Sequence, residues 1–376
     1  MNVLMMVSWY SPHDAENMTA GIFHYEQSIA LQKYCNMALY YPYDANLGCR
    51  FLKANEKGLV TYRRRINDKL KYMNWLHMFF DFMRIKKDFH PDIIHAHVAL
   101  HVGKIAVILG KIFRIPVVIT EHTPIELMGL DNDKAKRQAE FAYHNSKANV
   151  CVSMDSKNRL KGFFPKERFQ VIYNGIINPE LISKDKTCYA KKGYINCCIV
   201  AAFYDKDIKG YQYLLPAIKE VVKKGYPVLL HICGGGEYLD YYIELAKEIG
   251  IEQNCIFYGQ CNREKVYSVV SQMQFSISAS LFECSGVSVQ EAMLLGKPLV
   301  VTKSGGADSL VTEETAIVVE RKSSNALAVG IESMIKKLPE FDEKVIRNYA
   351  YKYFEIDRVS MKYVKLYNKI LVKKES

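Results

Sequence analysis

What constrains this chain most is an alternation of apolar, strand-like runs with helix-like segments, kept up over nearly the whole length and interrupted once. "NVLMMVSW" precedes "GIFHYEQSIALQKY", "DIIHAHVA" precedes "HVGKIAVILGKIF", and "PVVITEH", "ANVCVSM", "DSKNRLKGFF" and "FQVIYNGI" continue the series. That is the rhythm of a doubly wound parallel α/β domain. From 178 to 194 it lapses into the polar, aperiodic "NPELISKDKTCYAKKGY", which reads as a linker. It then restarts with "NCCIVAAFY", "GYQYLLPAIKEVVKKG", "PVLLHICGGG", "YLDYYIELAKEIG" and "CIFYGQ" and runs on to "AIVVE". With 376 residues the chain is too long for one ordinary core and comfortable for two. The expectation is two α/β domains, 1–180 and 181–357, with a ligand crevice between them. Ligands of such sheets bind outside the carboxyl ends of the strands. A long basic helix, "DRVSMKYVKLYNKILVKK", closes the chain.

Composition removes several classes. No apolar run reaches the ~20 residues of a spanning helix, and the best candidate, "IAVILGKIFRIPVVIT", is broken by Lys111 and Arg114. The start, "MNVLMMVSWYSP", has no basic leader region and reads as a first strand. The ten cysteines are scattered without metal-type pairing, as suits small buried residues in a reducing compartment, so a cytoplasmic location is expected. The net charge of +11 is uneven: residues 50–87 carry eleven Lys or Arg against Glu56, Asp68 and Asp81, interleaved with Trp75, Phe79, Phe80 and Phe82. A basic, aromatic segment of this kind suits an anionic membrane surface at the inner face. A solvated amphipathic helix is the plainer reading, and nucleic acid is not expected as a partner.

The chemistry-bearing stretch is "SLFECSGVSVQEAMLLGKPLVV", residues 280–301. A tight turn at Ser285-Gly286 opens a helix that Gly296 and Pro298 stop. Backbone N–H groups around Gly286, Val287 and Ser288, with the helix dipole behind them, make an anion site. Glu291, one turn in, is poorly placed for phosphate and well placed to accept from vicinal hydroxyls such as a ribose. Glu283, before the turn, lies on the other side, where a sugar would sit. A diphosphate bracketed by two hydroxyl-binding carboxylates describes a nucleotide-sugar. Lys209, before Gly210 at a helix start, can serve as a point charge for phosphate. In the first half, His122 stands at the carboxyl end of "PVVIT" beside Thr120 and Glu121, and Gly21 opens the first helix at the same edge.

Taken together, "ECSGVSVQEAMLLGKPLVVTKSGG" and the order of "PDIIHAHVA", "PVVITEHTP", "VCVSMDSKNRL", "FQVIYNGI", "IKGYQYLL", "LLHICGGGE" and "IFYGQCNREKVYSVV" resemble the family 4 glycosyltransferases, with their E-x7-E signature. The resemblance covers nearly the whole chain. It implies the GT-B fold of two facing Rossmann-like domains, the first for the acceptor and the second for the donor. The last helix, 358–376, then packs back on the first domain. Carried over by position, Glu291 binds the donor ribose, Glu283 contacts the transferred sugar, the turn at Ser285–Ser288 and Lys209 hold the diphosphate, and His122 lies near sugar and acceptor. The resemblance further implies transfer with retention, no metal and no cofactor beyond the nucleotide-sugar itself. It points to a glycan or lipid-linked acceptor, as in capsule or O-chain assembly, with a soluble acceptor as the alternative. One departure stands out. The family's arginine about six residues before the lysine is replaced by Phe203, with Lys206 as the nearest substitute, and this leaves open a non-catalytic nucleotide-sugar binder.

Three other readings are weaker. His95, His97 and His101 resemble a short zinc cluster, but no later ligand set completes it. Asp131 with Asp133 and Asp205 with Asp207 read as surface acids rather than a metal-binding pair. A glycoside hydrolase could use two carboxylates, but a neutral glycan gains nothing from a phosphate cradle.

Overall fold

The computed structural model describes residues 1–10, 21–65, 74–179 and 185–375. Of the basic segment, Asp68, Lys69, Lys71, Tyr72 and Met73 fall outside the described residues, as do five residues of the expected linker, 180–184. The chain divides into two compact units, Met1–Gly175 with Ile356–Ser376, and Ile176–Glu355. Both crossings lie together: Ile176 bridges Glu355, and a side chain at Gly175 would meet Ile356 at 2.9 Å. The expected divisions at 180 and 357 therefore differ from these by only a few residues.

Among its described residues the first unit has eight strands: β1 (Asn2–Met6), β2 (Asn36–Tyr41), β3 (Phe51–Glu56), β4 (Leu59–Arg64), β5 (Ile93–His97), β6 (Val117–Glu121), β7 (Ala148–Cys151) and β8 (Phe169–Val171). They lie in the order β3-β4-β2-β1-β5-β6-β7-β8, all parallel except that β3 runs antiparallel to β4. Every residue of β5 and β6 is buried, because helices cover both faces of a parallel sheet. The closing helix, Ile356–Glu375, belongs to this unit. Its Tyr363 and Tyr367 are fully buried, and Lys33 binds Asp357 at 2.7 Å at its start.

The 50–87 segment departs from a single amphipathic element. Residues 51–64 form a β-hairpin that turns on Lys57 and Gly58, both with positive φ, and Asn74–Phe89 is helical. Part of its positive charge is spent internally. Arg64 pairs with the buried Asp81, Arg63 with Asp44 at 3.5 Å, and Lys53 with Asp88 at 2.6 Å.

The second unit holds β9 (Ile195–Val200), β10 (Val228–Cys233), β11 (Cys255–Phe257), β12 (Phe275–Ser278), β13 (Leu299–Thr302) and β14 (Ala316–Val319). All are parallel, in the order β11-β10-β9-β12-β13-β14. Strand order reverses between β9 and β12 here, and between β1 and β5 in the first unit. In open α/β sheets the crevice at the carboxyl ends of such a pair is where ligands bind. None of the ten cysteines is in a disulfide, and eight of them are buried.

Candidate functional site

The loops after β9 and β12, with the helix that follows β12, carry the predicted donor residues except Gly21, which lies in the first unit. Gly210, at φ +72, opens the helix Tyr211–Lys223, and a side chain there would meet the Ala279 carbonyl at 2.0 Å. Only glycine lets these two loops close on each other. Gly286, at φ +87, opens Val287–Leu294 with no side-chain cap. The first bond at that end runs from Val289 N–H to the Gly286 carbonyl at 3.1 Å, so the Gly286, Val287 and Ser288 amides precede the helical ladder. Ser285 is buried, its hydroxyl 3.5 Å from Gln290 Oε1.

The two glutamates flank this helix start, each with a cation. Lys209 Nζ donates to Glu283 Oε1 at 2.6 Å, and Ser280 Oγ donates to the same oxygen at 2.8 Å. The Glu283 backbone is tied to the Ser304–Gly306 turn by its N–H to the Ser304 carbonyl at 3.1 Å and by Gly306 N–H to its own carbonyl at 2.9 Å. Arg263 Nη2 donates to Glu291 Oε1 at 2.7 Å, and Tyr267 OH donates to the same oxygen at 3.0 Å. Burial works against the Arg263 charge, but Glu291 and Tyr267 outweigh it and hold the guanidinium protonated. Burial and Glu291 push the Tyr267 phenol far up, so it is a donor at any ordinary pH.

Arg263 was not among the predicted residues. A signal for it exists in "CNREKVY": Asn262 caps the helix Arg263–Ser271, and an arginine in the first turn opposes the helix dipole. Such a local mismatch needs a partner, and Glu291 is that partner.

Phe203, at the position of the absent arginine, is fully buried, with its ring 4.2 Å from that of Tyr211 and 5.6 Å from that of Tyr242. It is a core residue rather than a lining one. Lys206, the substitute considered for it, has its Nζ 4.2 Å from the ring centre of Tyr241.

In the first unit, His122 follows β6 and meets His97 at the end of β5, His97 Nδ1 to His122 Nε2 at 2.8 Å. The rings are within 8° of parallel with centres 5.0 Å apart, close to the longest separation that contact allows. The bond therefore lies in the common plane of the two rings, which is good geometry for N–H···N. Burial pushes the His122 pKa down to about 3 and that of His97 well below its ordinary value. With both rings neutral, one donates and the other accepts, so each fixes the tautomer of the other. His24 stands edge-on to His97 at 4.5 Å, buried, with neither ring nitrogen hydrogen-bonded. Gly21, at φ +75, opens the helix that carries His24, and a side chain on Gly21 would meet the Trp9 carbonyl at 2.8 Å.

Glu121 turns inward rather than toward ligand. It is buried and accepts from His122 N–H at 3.1 Å, Thr123 N–H at 2.9 Å, Ala99 N–H at 3.0 Å and Tyr143 OH at 2.8 Å. One carboxylate thus ties together the chain after β5 and the chain after β6. His95 has both nitrogens occupied, Nε2 by Thr120 Oγ1 and Nδ1 by Tyr367 OH, each at 2.7 Å. That leaves it no lone pair for a metal, and His101 faces a different cavity, against Tyr43. Among the described residues no group of three His, Cys, Asp or Glu side chains is placed to hold a metal ion.

The family description "Glycosyl transferases group 1" matches residues 190–353, and "Glycosyltransferase Family 4" matches residues 48–177. An uncharacterized glycosyltransferase of Methanocaldococcus jannaschii is 25% identical over 336 residues, spanning 83% of this chain and 85% of that protein. The alpha-monoglucosyldiacylglycerol synthase of Streptococcus pneumoniae is 24% identical over 62% of this chain and 56% of its own length. Among solved structures, sucrose-phosphate synthase from Thermosynechococcus elongatus superposes with a TM-score of 0.80 at 16% identity, covering 99% of this chain and 100% of that one. The Anabaena protein HepE in complex with UDP does so with a TM-score of 0.76 at 17% identity, covering 98% and 100%.

Proposed function

The chain belongs to the group 1, family 4 glycosyltransferases and has their GT-B fold of two parallel-sheet α/β domains, and from that premise we propose that its second domain binds a nucleoside diphosphate-sugar between Glu283 and Glu291. The observation that carries this is the pair of ion pairs, Lys209–Glu283 and Arg263–Glu291, on either side of an uncapped helix start. The diphosphate takes the Gly286–Ser288 amides and draws Lys209 from Glu283. Glu283, released, accepts from hydroxyls of the sugar to be moved, and Glu291, held by Arg263 and Tyr267, accepts from the ribose. As the bond to the anomeric carbon breaks, charge grows on the leaving diphosphate, where the amides and Lys209 stabilise it. Removing one such donor costs ~2.7–4 kcal/mol in the barrier. Cationic neutralisation by protein groups makes the reaction metal-independent in this reading. Transfer with retention follows if the acceptor attacks on the leaving-group side, with the diphosphate taking its proton. HepE has been solved with UDP and with UDP-glucose, which makes UDP-sugars the first donors to try.

The acceptor is a glycan or a lipid-linked glycan of the cell surface, met at the inner membrane face. Trp75, Phe80 and Met83 are exposed on the helix Asn74–Phe89, and Ile108 and Ile112 on the helix Lys104–Phe113, among Arg84, Lys86, Lys87 and Lys111. No helix among the described residues is long and apolar enough to cross a membrane, so this contact would be peripheral. Co-sedimentation with vesicles containing anionic lipid should exceed that with neutral vesicles and fall with salt. Equal sedimentation in both would remove the membrane from the account. A non-catalytic nucleotide-sugar binder is favoured by one observation, the burial of Phe203 where a phosphate-binding arginine would stand. A thermal-shift panel of nucleoside diphosphates and their sugars with EDTA, on wild type and Glu291→Ala, tests the main reading. Ligand at about 100 times its dissociation constant adds ~2.7 kcal/mol of stability. A shift with one base that EDTA leaves intact and Glu291→Ala removes is the expected result. No shift with any nucleotide would count against the donor site.

A further inference from the structure

A cavity of about 480 Å³ opens in the first unit, lined by Ser8, Trp9, Tyr43, Val98, His101 and Thr123, with Leu100, Leu127 and Met128 completing its wall. It lies past the carboxyl ends of β1 and β5, the point where this sheet reverses its strand order. Its size is that of small-molecule sites, roughly 300–1,000 Å³. We propose that this cavity receives an uncharged pyranose ring of the acceptor, stacked on Trp9. The inference rests on the transferase reading and narrows it, from any glycan or lipid-linked acceptor to one whose receiving unit is a neutral sugar.

Four observations point that way. Among the described residues no lysine, arginine, aspartate or glutamate lines the cavity, so they offer no ion pair to a phosphate or carboxylate headgroup. Its polar groups are the Ser8 and Thr123 hydroxyls, the His101 ring, and the Tyr43 phenol, which burial pushes up to about 12. Ser8 Oγ is buried with no hydrogen-bond partner among the described residues, a group that a ligand hydroxyl would satisfy. The backbone is held in rare conformations where it lines the cavity, with Val98 at φ +75 and His101 at φ +59, although neither is glycine. The Val98 N–H bond to the Thr120 carbonyl at 2.8 Å and the Ala99 N–H bond to Glu121 hold that shape. Strain kept by such cross-bracing gathers at ligand sites.

Trp9 connects the cavity to the histidines of the first unit. Its ring stands edge-on to His122 with centres 6.5 Å apart and 5.6 Å from His24. An apolar ring face beside hydroxyl partners matches a pyranose, which has C–H bonds on its faces and hydroxyls at its rim. An acyl chain would use the apolar walls and leave the Ser8 hydroxyl unpaired.

The chain has two tryptophans, Trp9 and Trp75, so in a Trp75→Phe background all indole emission reports the cavity. That protein is titrated with methyl α-D-glucopyranoside, methyl β-D-galactopyranoside and maltose, against myo-inositol 1-phosphate, glycerol 3-phosphate and dioctanoylglycerol. Glycerol serves as the osmotic control, and each titration is run with and without UDP, ADP and GDP. The expected result is a saturable change with at least one neutral sugar and none with the phosphate esters or the lipid. Ser8→Ala removes only an unpaired hydroxyl, so it should melt no lower than its parent while binding that sugar roughly tenfold more weakly. No response to any neutral sugar under any condition, an equal or stronger response to a phosphate ester or to dioctanoylglycerol, or unchanged affinity in Ser8→Ala would overturn the assignment. Melting shifts with the nucleotides, read on the same samples, separate the two claims. If a nucleotide binds and no sugar does, only the cavity assignment fails. If a sugar binds and no nucleotide does, the donor site fails and the cavity assignment stands.

Discussion

At the scale of single residues, the account turns on groups whose partners are visible only in three dimensions. The placement of Glu283 and Glu291 about a helix start was legible from their spacing around the turn. Arg263 was not, because its partner lies 28 residues along the chain, on another helix. Arg263→Met keeps volume and stem packing but leaves Glu291 with a single donor, Tyr267. Nucleoside diphosphate binding should weaken about tenfold, measured calorimetrically, in keeping with the roughly 1.5–3 kcal/mol of a charged hydrogen bond. Unchanged binding would make the arginine purely structural. The histidines allow a test by pH. Burial holds His95 and His122 near 3 and His24 and His97 well below 6.5, all neutral in the fold. In the unfolded chain they take up protons from about pH 6.5 downward, so they leave stability unaffected above that point and reduce it progressively from there toward pH 3. Melting temperature should be level from pH 8 to 7 and fall below 6.5, less steeply in His24→Phe. A profile flat to pH 5 would mean that these imidazoles are not buried as described.

At the scale of elements, the alternation of strand and helix predicted both parallel sheets, because a βαβ crossover leaves a strong periodic trace. The hairpin 51–64 escaped it. Its strand β3 lies at the sheet edge with an alternating burial pattern, and its charges are neutralised by Asp44, Asp81 and Asp88 from elsewhere in the chain. Pairing across sequence is what a local reading of charge cannot see. Phe203 shows the same limit in reverse: the family resemblance implies a phosphate-binding arginine at its position, but its side chain completes an aromatic core with Tyr211 and Tyr242. The helix start at Gly286 is the element the proposal depends on most. A side chain there would face positive φ and meet Ala307 Cβ at 2.8 Å. Gly286→Ala should cost roughly 1–3 kcal/mol of stability from the forced conformation alone. It should also tilt the amides off the diphosphate, so that a nucleotide no longer raises the melting temperature. A Gly286→Ala protein that still gains the full nucleotide shift would show that these amides are not the anion site.

At the scale of the whole molecule, two domains of comparable size were readable from length and from the lapse in rhythm after residue 178. The return of the last helix to the first domain was implied by family resemblance rather than by any local feature. Its physical basis is the burial of Tyr363 and Tyr367, whose hydroxyls reach Thr120 and His95. What was not readable is the acceptor cavity, because Ser8, Tyr43, Val98 and Thr123 are far apart in sequence, and the runs that hold Val98 and Thr123 mark strands rather than a shared pocket. The proposed function divides the labour between two glutamates, Glu291 for the nucleotide and Glu283 for the sugar. The most direct test is calorimetric titration of the nucleoside diphosphate that binds wild type best into Glu283→Gln and Glu291→Gln, with loss of the sugar from the donor followed in parallel. The account predicts that Glu291→Gln weakens nucleotide binding at least tenfold. Glu283→Gln should bind the nucleotide about as well as wild type while losing most sugar turnover. Equal effects of both substitutions on nucleotide binding, or full turnover in Glu283→Gln, would contradict it.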